Sequence, residues 1–210
     1  MSRREGGVSE RGGGVSRRES ETSPRAGGMR WRVAYLFAAA AVYMADQASK
    51  AWAVRRLRGG EVVKVWDGFA QLAYAENTGI AFGRLQDGGD FGRWMLVGLA
   101  ALAVVGLLLY FFRTKRTDDR VLGAIALLLA GVGGNLTDRV RLGHVIDFIE
   151  VFIGSYRWPT FNVADAAICA GAALLALDLI LEGRAEGRRQ KAEAARAPRA
   201  ANGTDAGGGA

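Results

Sequence analysis

Two aspartates are placed where a carboxylate is costly. Asp147 lies in His144-Val-Ile-Asp-Phe-Ile149 and Asp165 in Phe161-Asn-Val-Ala-Asp-Ala166, each within or beside a long apolar run. A charged side chain at a bilayer centre costs about 2.5–3.5 kcal/mol on insertion scales, so such groups need a partner. Here each is the natural partner of the other. A carboxyl pair holding one proton can draw a proton from water with its ionised member and donate one to an oxyanion with the other, which is the chemistry of peptide hydrolysis. The proton belongs to the pair, and the sequence does not assign it to either residue. Asp165, at the start of an apolar run, also suits a helix N-terminus, where negative charge is favoured without any chemistry.

Further polar clusters accompany the pair. Asp46 and Lys50 stand four apart with the acid first, the better order for a helical ion pair. That pair reads as structural first, and Lys50 near a helix end can also snorkel toward an interface. Asn77 in Ala75-Glu-Asn-Thr-Gly-Ile-Ala-Phe82 offers a donor and an acceptor to an extended peptide backbone, although Asn-Thr-Gly is also ordinary turn material. Asn135, Asp138 and Arg139 share a helical face at i, i+3 and i+4, suiting Arg139 to bind substrate carbonyls with Asp138 orienting it, or to form a helix-end salt bridge. Gly131, Gly133 and Gly134 beside them leave room for a second helix or a substrate chain. Asn162 precedes Asp165 by three residues on the same face, after Trp158-Pro-Thr.

The elements that must hold these groups follow from where the apolar residues lie. Half of the 210 residues are hydrophobic, yet the net charge is +7 and the pI near 10.1. The first 28 residues and those after about Gly183 are polar, Gly-rich and Arg-rich, whereas the apolar residues concentrate between Trp31 and Leu181. Four runs, about 31–51, 94–112, 121–138 and 161–181, approach the roughly 20 residues that span a bilayer. The N-terminal arm, the connection Arg113-Thr-Lys-Arg116 and the C-terminal tail are all basic, which puts both termini in the cytoplasm and the polar clusters at the outer ends of the spans. Between the first two spans, Glu61–Val65 and Phe69–Tyr74 are β-type runs joined through Trp66-Asp-Gly68, a hairpin signal. Trp52, Trp66, Phe69 and Tyr74 suit the headgroup level. The expected fold is thus an all-α integral membrane protein with four transmembrane helices, a small extracytoplasmic β-hairpin or cradle over about 60–85, and a short surface helix over Val145–Ile153.

Composition also narrows the chemistry. The single Cys169 and single His144 provide no disulfide framework, thiol pair or zinc-type ligand set, so the expected chemistry uses no metal and no cofactor. The basic residues lie in Gly-rich tails without interleaved aromatics, which favours anionic membrane lipids over nucleic acid as their partner. Residues 1–28 read as a disordered arm preceding the 29–183 domain, with Met29 a candidate start of the native chain, and 184–210 as a disordered basic cytoplasmic tail whose Ala185–Ala197 portion is able to continue the last helix.

Taken in order, Asp46-Gln-Ala-Ser-Lys50, Glu76-Asn-Thr-Gly-Ile-Ala-Phe82, Gly134-Asn-Leu-Thr-Asp-Arg139, Val145-Ile-Asp-Phe148 and Phe161-Asn-Val-Ala-Asp165 resemble the five signature motifs of bacterial lipoprotein signal peptidase, the signal peptidase II family. The resemblance runs from about Met29 to Leu181. It implies an aspartic endopeptidase of the inner membrane, active at the outer face as a monomer, that removes signal peptides from diacylglyceryl-modified prolipoproteins before the lipidated cysteine. It implies a catalytic dyad of Asp147 and Asp165, substrate-backbone contacts from Asn77 and Arg139, support from Asp46, Lys50, Asn135 and Asn162, and sensitivity to globomycin. Gly83, Ala166 and Ala167 depart from the family pattern without touching the dyad.

Two other classes compete on the residues alone. A proton-coupled transporter or channel subunit also carries intramembrane Asp pairs, but at the midplane and often in repeated halves, and no internal repeat is evident. A non-catalytic membrane scaffold would make both carboxylates dispensable.

Overall fold

The computed structural model describes residues 24–79, 90–114 and 118–201, with side chains placed for 31–79, 91–114 and 118–193. The described chain forms α1 (Pro24–Leu57), β1 (Val62–Trp66), β2 (Ala70–Asn77), α2 (Asp90–Arg113), α3 (Asp119–Leu142), β3 (Val145–Ile153), β4 (Tyr156–Arg157) and α4 (Val163–Ala201). α2, α3 and α4 contain stretches long and apolar enough to cross a membrane, at Phe91–Arg113, Asp119–Leu142 and Val163–Glu193. α1 covers the first expected span, but Asp46, Gln47, Ser49 and Lys50 in its second half make it less apolar than the other three.

The helices divide into lipid-type and protein-type surfaces. On α2, Phe91, Leu99, Leu102, Val105 and Leu109 are exposed, leaving apolar side chains around most of its circumference as bilayer contact requires. α3 is the central helix and packs against α1, α2 and α4. Its approach to α4 depends on missing side chains: a Cβ on Gly131 would stand 2.4 Å from the Ala164 carbonyl oxygen, and one on Gly171 2.8 Å from that of Ala124. Gly133 has no such role, since a Cβ there meets nothing nearer than Tyr43 at 3.9 Å.

Above one end of the helices lies a four-stranded antiparallel sheet in the order β1-β2-β3-β4. The expected hairpin is present, turning at Gly68 with φ of +72° and closing through the Phe69 N–H donated to the Trp66 carbonyl at 3.0 Å. The expected surface helix is not. Val145–Ile153 is strand β3, paired along β2 from Ala70↔Val151 to Asn77↔Val145. A run rich in Val and Ile whose first residues are buried fits a strand covered on both faces, and β2 supplies the hydrogen-bond partners that an isolated surface helix would have to find internally. The sheet rests on the end of α1 through a core of Ala53, Leu57, Ile146 and Phe148.

At the chain ends α1 starts at Pro24. α4 continues to Ala201, so the last helix runs on through Ala185–Ala197 as the sequence allowed. The arm before Pro24, the cradle beyond Gly79 with Ile80, Phe82 and Gly83, the connection at Lys115 and Arg116, and residues 202–210 lie outside the described residues.

Candidate active site

The site forms where the sheet meets the ends of α1, α3 and α4. Asp147 enters from β3. A β-bulge in β2, where the register passes from Leu72↔Ile149 to Ala75↔Asp147, re-aims the following residues and leaves Asn77 on the same face as Asp147. Asn77 Nδ2 donates to Asp147 Oδ2 at 2.9 Å, and Asn77 Oδ1 accepts the Gly79 N–H at 2.8 Å, which fixes the orientation of the amide. Gly79 has φ of +75°, a left-handed conformation suited to glycine.

Asp165 enters from α4. The backbone of Phe161 bridges to Ile149 of β3, setting the next residue, Asn162, beside the strand. Asn162 Oδ1 accepts the Asp165 N–H at 2.9 Å and the Asn162 N–H donates to Asp165 Oδ2 at 3.3 Å, the reciprocal pattern of a capping box. The side-chain amide then points at Asp147, donating from Nδ2 to Oδ1 at 2.7 Å. One fully buried asparagine thus holds both carboxylates. Asp165 sits in the first turn of α4 with Asn162 capping the helix, and the same asparagine hydrogen-bonds Asp147.

A buried ionic cluster supports this pair from beneath. Lys50 is 2 % exposed and does not snorkel; its Nζ lies 2.9 Å from Asp46 Oδ2, 2.8 Å from Asp138 Oδ2 and 2.9 Å from Asn135 Oδ1. These three acceptors match the three N–H donors of an ammonium. Because Asn135 Oδ1 is occupied by Lys50 and by Asn162 Nδ2, its own Nδ2 faces Asp165 Oδ1, at 2.7 Å. Asp46 Oδ1 accepts the Ala164 N–H at 2.8 Å, in the first turn of α4. Gly134 permits this approach, since a Cβ there would stand 2.5 Å from Asp46 Oδ2.

No hydrogen bond or salt bridge joins Asp138 to Arg139 among the described residues. The Asp138 carboxylate takes Lys50, Gln47 Nε2 at 3.2 Å and the Ile146 N–H at 3.3 Å. Desolvation explains this pairing: Asp138 and Lys50 are both buried and must neutralise each other, while Arg139 reaches toward the β2 end. A Cβ on Gly79 would lie 3.2 Å from Arg139 Nη2, and Arg139 Nε is buried with no hydrogen-bond partner among the described residues. Gln47, which donates to Asp46 Oδ2 at 3.1 Å as well as to Asp138, is a member of the cluster that sequence reasoning left without a role. Its position next to Asp46 was the available signal.

Burial pushes the Asp147 carboxyl above the usual carboxylate range. The hydrogen bond from Asn77 opposes this rise, the negative charge of Asp165 adds to it, and Asn162 and Lys50 again oppose it. Beside Asp147 an open cavity of about 550 Å³ is lined by Ala75, Glu76, Asn77, Thr78, Gly79 and Thr160. A carboxylate of raised basicity, a second carboxylate tied to it through one amide, and a guanidinium close by can together bind a peptide carbonyl and exchange protons with it.

Membrane-spanning helices that carry a polar site under an antiparallel sheet define a membrane enzyme, and solved bacterial membrane enzymes share this fold. One, determined by the in meso method at 1.9 Å, has a TM-score of 0.64 and 28% identity, covering 70% of this chain and 92% of the other; a second, at 2.3 Å, has 0.62 and 27%, covering 71% and 89%. Residues 38–181 match the family described as signal peptidase (SPase) II, and the chain belongs to that family. Among its relatives are the lipoprotein signal peptidase of Geobacter sulfurreducens, 44% identical over 66% of this chain and 86% of that protein, and that of Syntrophus aciditrophicus, 38% identical over 70% and 92%. The family is one of proteases that process lipoproteins.

Proposed function

We propose that this protein is an aspartic endopeptidase of the bacterial inner membrane that removes signal peptides from diacylglyceryl-modified prolipoproteins, with Asp147 and Asp165 as its catalytic dyad. The observation that carries the reading is Asn162, which hydrogen-bonds both carboxylates and so holds them as one unit. The ionised member draws a proton from a water as it attacks the scissile carbonyl. The protonated member donates to the developing oxyanion, and the proton taken from water later reaches the leaving amine.

Asn77 lines the cavity and the Arg139 guanidinium reaches Gly79 on its wall, and both hold the substrate backbone. Asp46, Lys50, Asn135 and Asp138 keep the dyad's supports in register. In this reading α1 is a fourth span, both termini are cytoplasmic, and the sheet lies at the outer surface, with exposed Trp66 and Phe69 at headgroup level. Water reaches the dyad from outside, while the signal helix and acyl chains enter from the lipid. The enzyme acts as a monomer without a cofactor.

The test is cleavage of a diacylglyceryl-modified prolipoprotein by the purified protein, with and without globomycin, alongside Asp147→Asn and Asp165→Asn. Each variant is expected to lose roughly 10²–10⁴-fold in rate, the range of a lost general acid or base. Undiminished cleavage by either one defeats the dyad assignment.

A further inference from the structure

Arg93 lies in the first turn of α2, outside the motif residues, and its side chain reaches across to the end of α3. Nε donates to the Arg139 carbonyl at 2.8 Å and Nη2 to the Val140 carbonyl at 2.7 Å. These carbonyls are in the last turn of α3, where the helical N–H donors run out and a cation is favoured by the helix dipole. The Gly143 N–H, from the left-handed C-cap with φ of +85°, also donates to the Arg139 carbonyl, at 3.1 Å. The Arg93 guanidinium packs over the Trp94 ring at 5.2 Å, which limits its motion. A planar fork that grips two consecutive carbonyls fixes both the position and the tilt of that turn, which the point charge of a lysine cannot do.

The clamped turn belongs to Arg139, whose guanidinium reaches Gly79 on the wall of the cavity beside Asp147. Arg139 extends its guanidinium over Gly79 with Nε buried and without a hydrogen-bond partner among the described residues, so the backbone turn from which the side chain springs helps set where that nitrogen points. We propose that Arg93 is a positioning residue for substrate binding: its grip on the Arg139 and Val140 carbonyls aims the Arg139 guanidinium at the substrate backbone. The inference rests on the peptidase reading above, and in particular on Arg139 as the backbone-binding residue.

The experiment measures kcat and KM for the full-length enzyme on a diacylglyceryl-modified prolipoprotein, using Arg93→Ala, Arg93→Lys, Arg139→Lys and the double variant Arg93→Ala/Arg139→Lys. Arg93→Ala is expected to raise KM by about tenfold with kcat within about twofold, as loss of substrate binding requires, and Arg93→Lys to recover only part of it. On the Arg139→Lys background, removal of Arg93 is expected to add less than about twofold, because its effect passes through Arg139. An unchanged KM, a fall in kcat alone, or the full effect repeated in the double variant overturns the proposal. Should Arg93→Ala fail to fold, Arg93→Gln and Arg93→Lys are read by the same split. Absence of cleavage by the wild-type enzyme overturns the peptidase reading and this inference together, whereas wild-type cleavage with additive variants overturns this inference alone.

Discussion

Asn162 and Asp165 are joined twice: the Asn162 side-chain oxygen accepts the Asp165 N–H at 2.9 Å and the Asn162 N–H donates to the Asp165 carboxylate at 3.3 Å. A helix cap and the bridge between two carboxylates are therefore the same residue, and substitutions can separate the two roles.

Asn162→Ser keeps an oxygen able to cap α4 but removes the amide that donates to Asp147. Its thermal stability is expected to stay near wild type, while Asn162→Ala loses about 1 kcal/mol with the cap. Cleavage is expected to fall severely in both. Thermal melts and prolipoprotein cleavage measured together check this, and a serine variant of full activity would show that the bridge to Asp147 is idle.

Asn77→Ala removes a hydrogen bond that favours ionised Asp147. With that donor gone, the carboxyl, already raised by burial, rises further. The limb of the kcat/KM profile governed by Asp147 is expected to move to higher pH, along with a lower maximum from weaker substrate binding. The sign carries over to stability: a raised folded-state pKa means that protonated Asp147 favours the fold at low pH, and this contribution is lost as pH rises through the folded value. A limb displaced to lower pH would contradict the assignment.

Lys50→Met leaves Asp46 and Asp138 buried without their cation. Removing one partner from a buried ionic group costs about 3–5 kcal/mol, so this variant is expected to melt far below wild type or to fail to accumulate. Lys50→Met/Asp138→Asn should recover part of the loss, because one stranded charge is removed with its counterion. Detergent-solubilised melts compare the two.

Neighbouring glycines of α3 should respond oppositely to one methyl group. At Gly134 the new Cβ stands 2.5 Å from Asp46 Oδ2, so Gly134→Ala is expected to displace Asp46 from Lys50 and from the α4 N-terminus, at a cost of about 1–3 kcal/mol. At Gly133 the nearest atom is 3.9 Å away, so Gly133→Ala is expected to be neutral or to gain up to about 1 kcal/mol from helix propensity. Equal destabilisation of both variants would mean that the clash at Asp46 is not what matters.

Much of this site was legible because local spacing fixes local geometry. Asp46 and Lys50 four apart predict their ion pair, and Asn162 three before Asp165 predicts a shared face; both relations hold. Relations across elements were harder to read. In Val145–Ile153, Asp147 and Glu150 are three apart, a helical interval, but pairing with β2 makes the segment a strand, and no count within nine residues reveals a partner seventy residues earlier. The same limit applies to Asp138, adjacent in sequence to Arg139 but bonded to Lys50 on another helix. Arg93 carried no signal at all, since its acceptors are backbone carbonyls and any sequence supplies those.

Only Gly143 and His144 separate α3 from β3, and the Phe161 backbone is pinned to Ile149 just before α4 begins. From Asn135 to Asp165 the chain therefore has almost no slack: an inserted residue would push a carboxylate out of reach of its donor. The exposed turn at Gly154–Ser155 and the exposed connection at Trp158–Pro159 are the exceptions. A tag or an epitope inserted within this stretch is expected to be tolerated at those exposed segments and nowhere else on it.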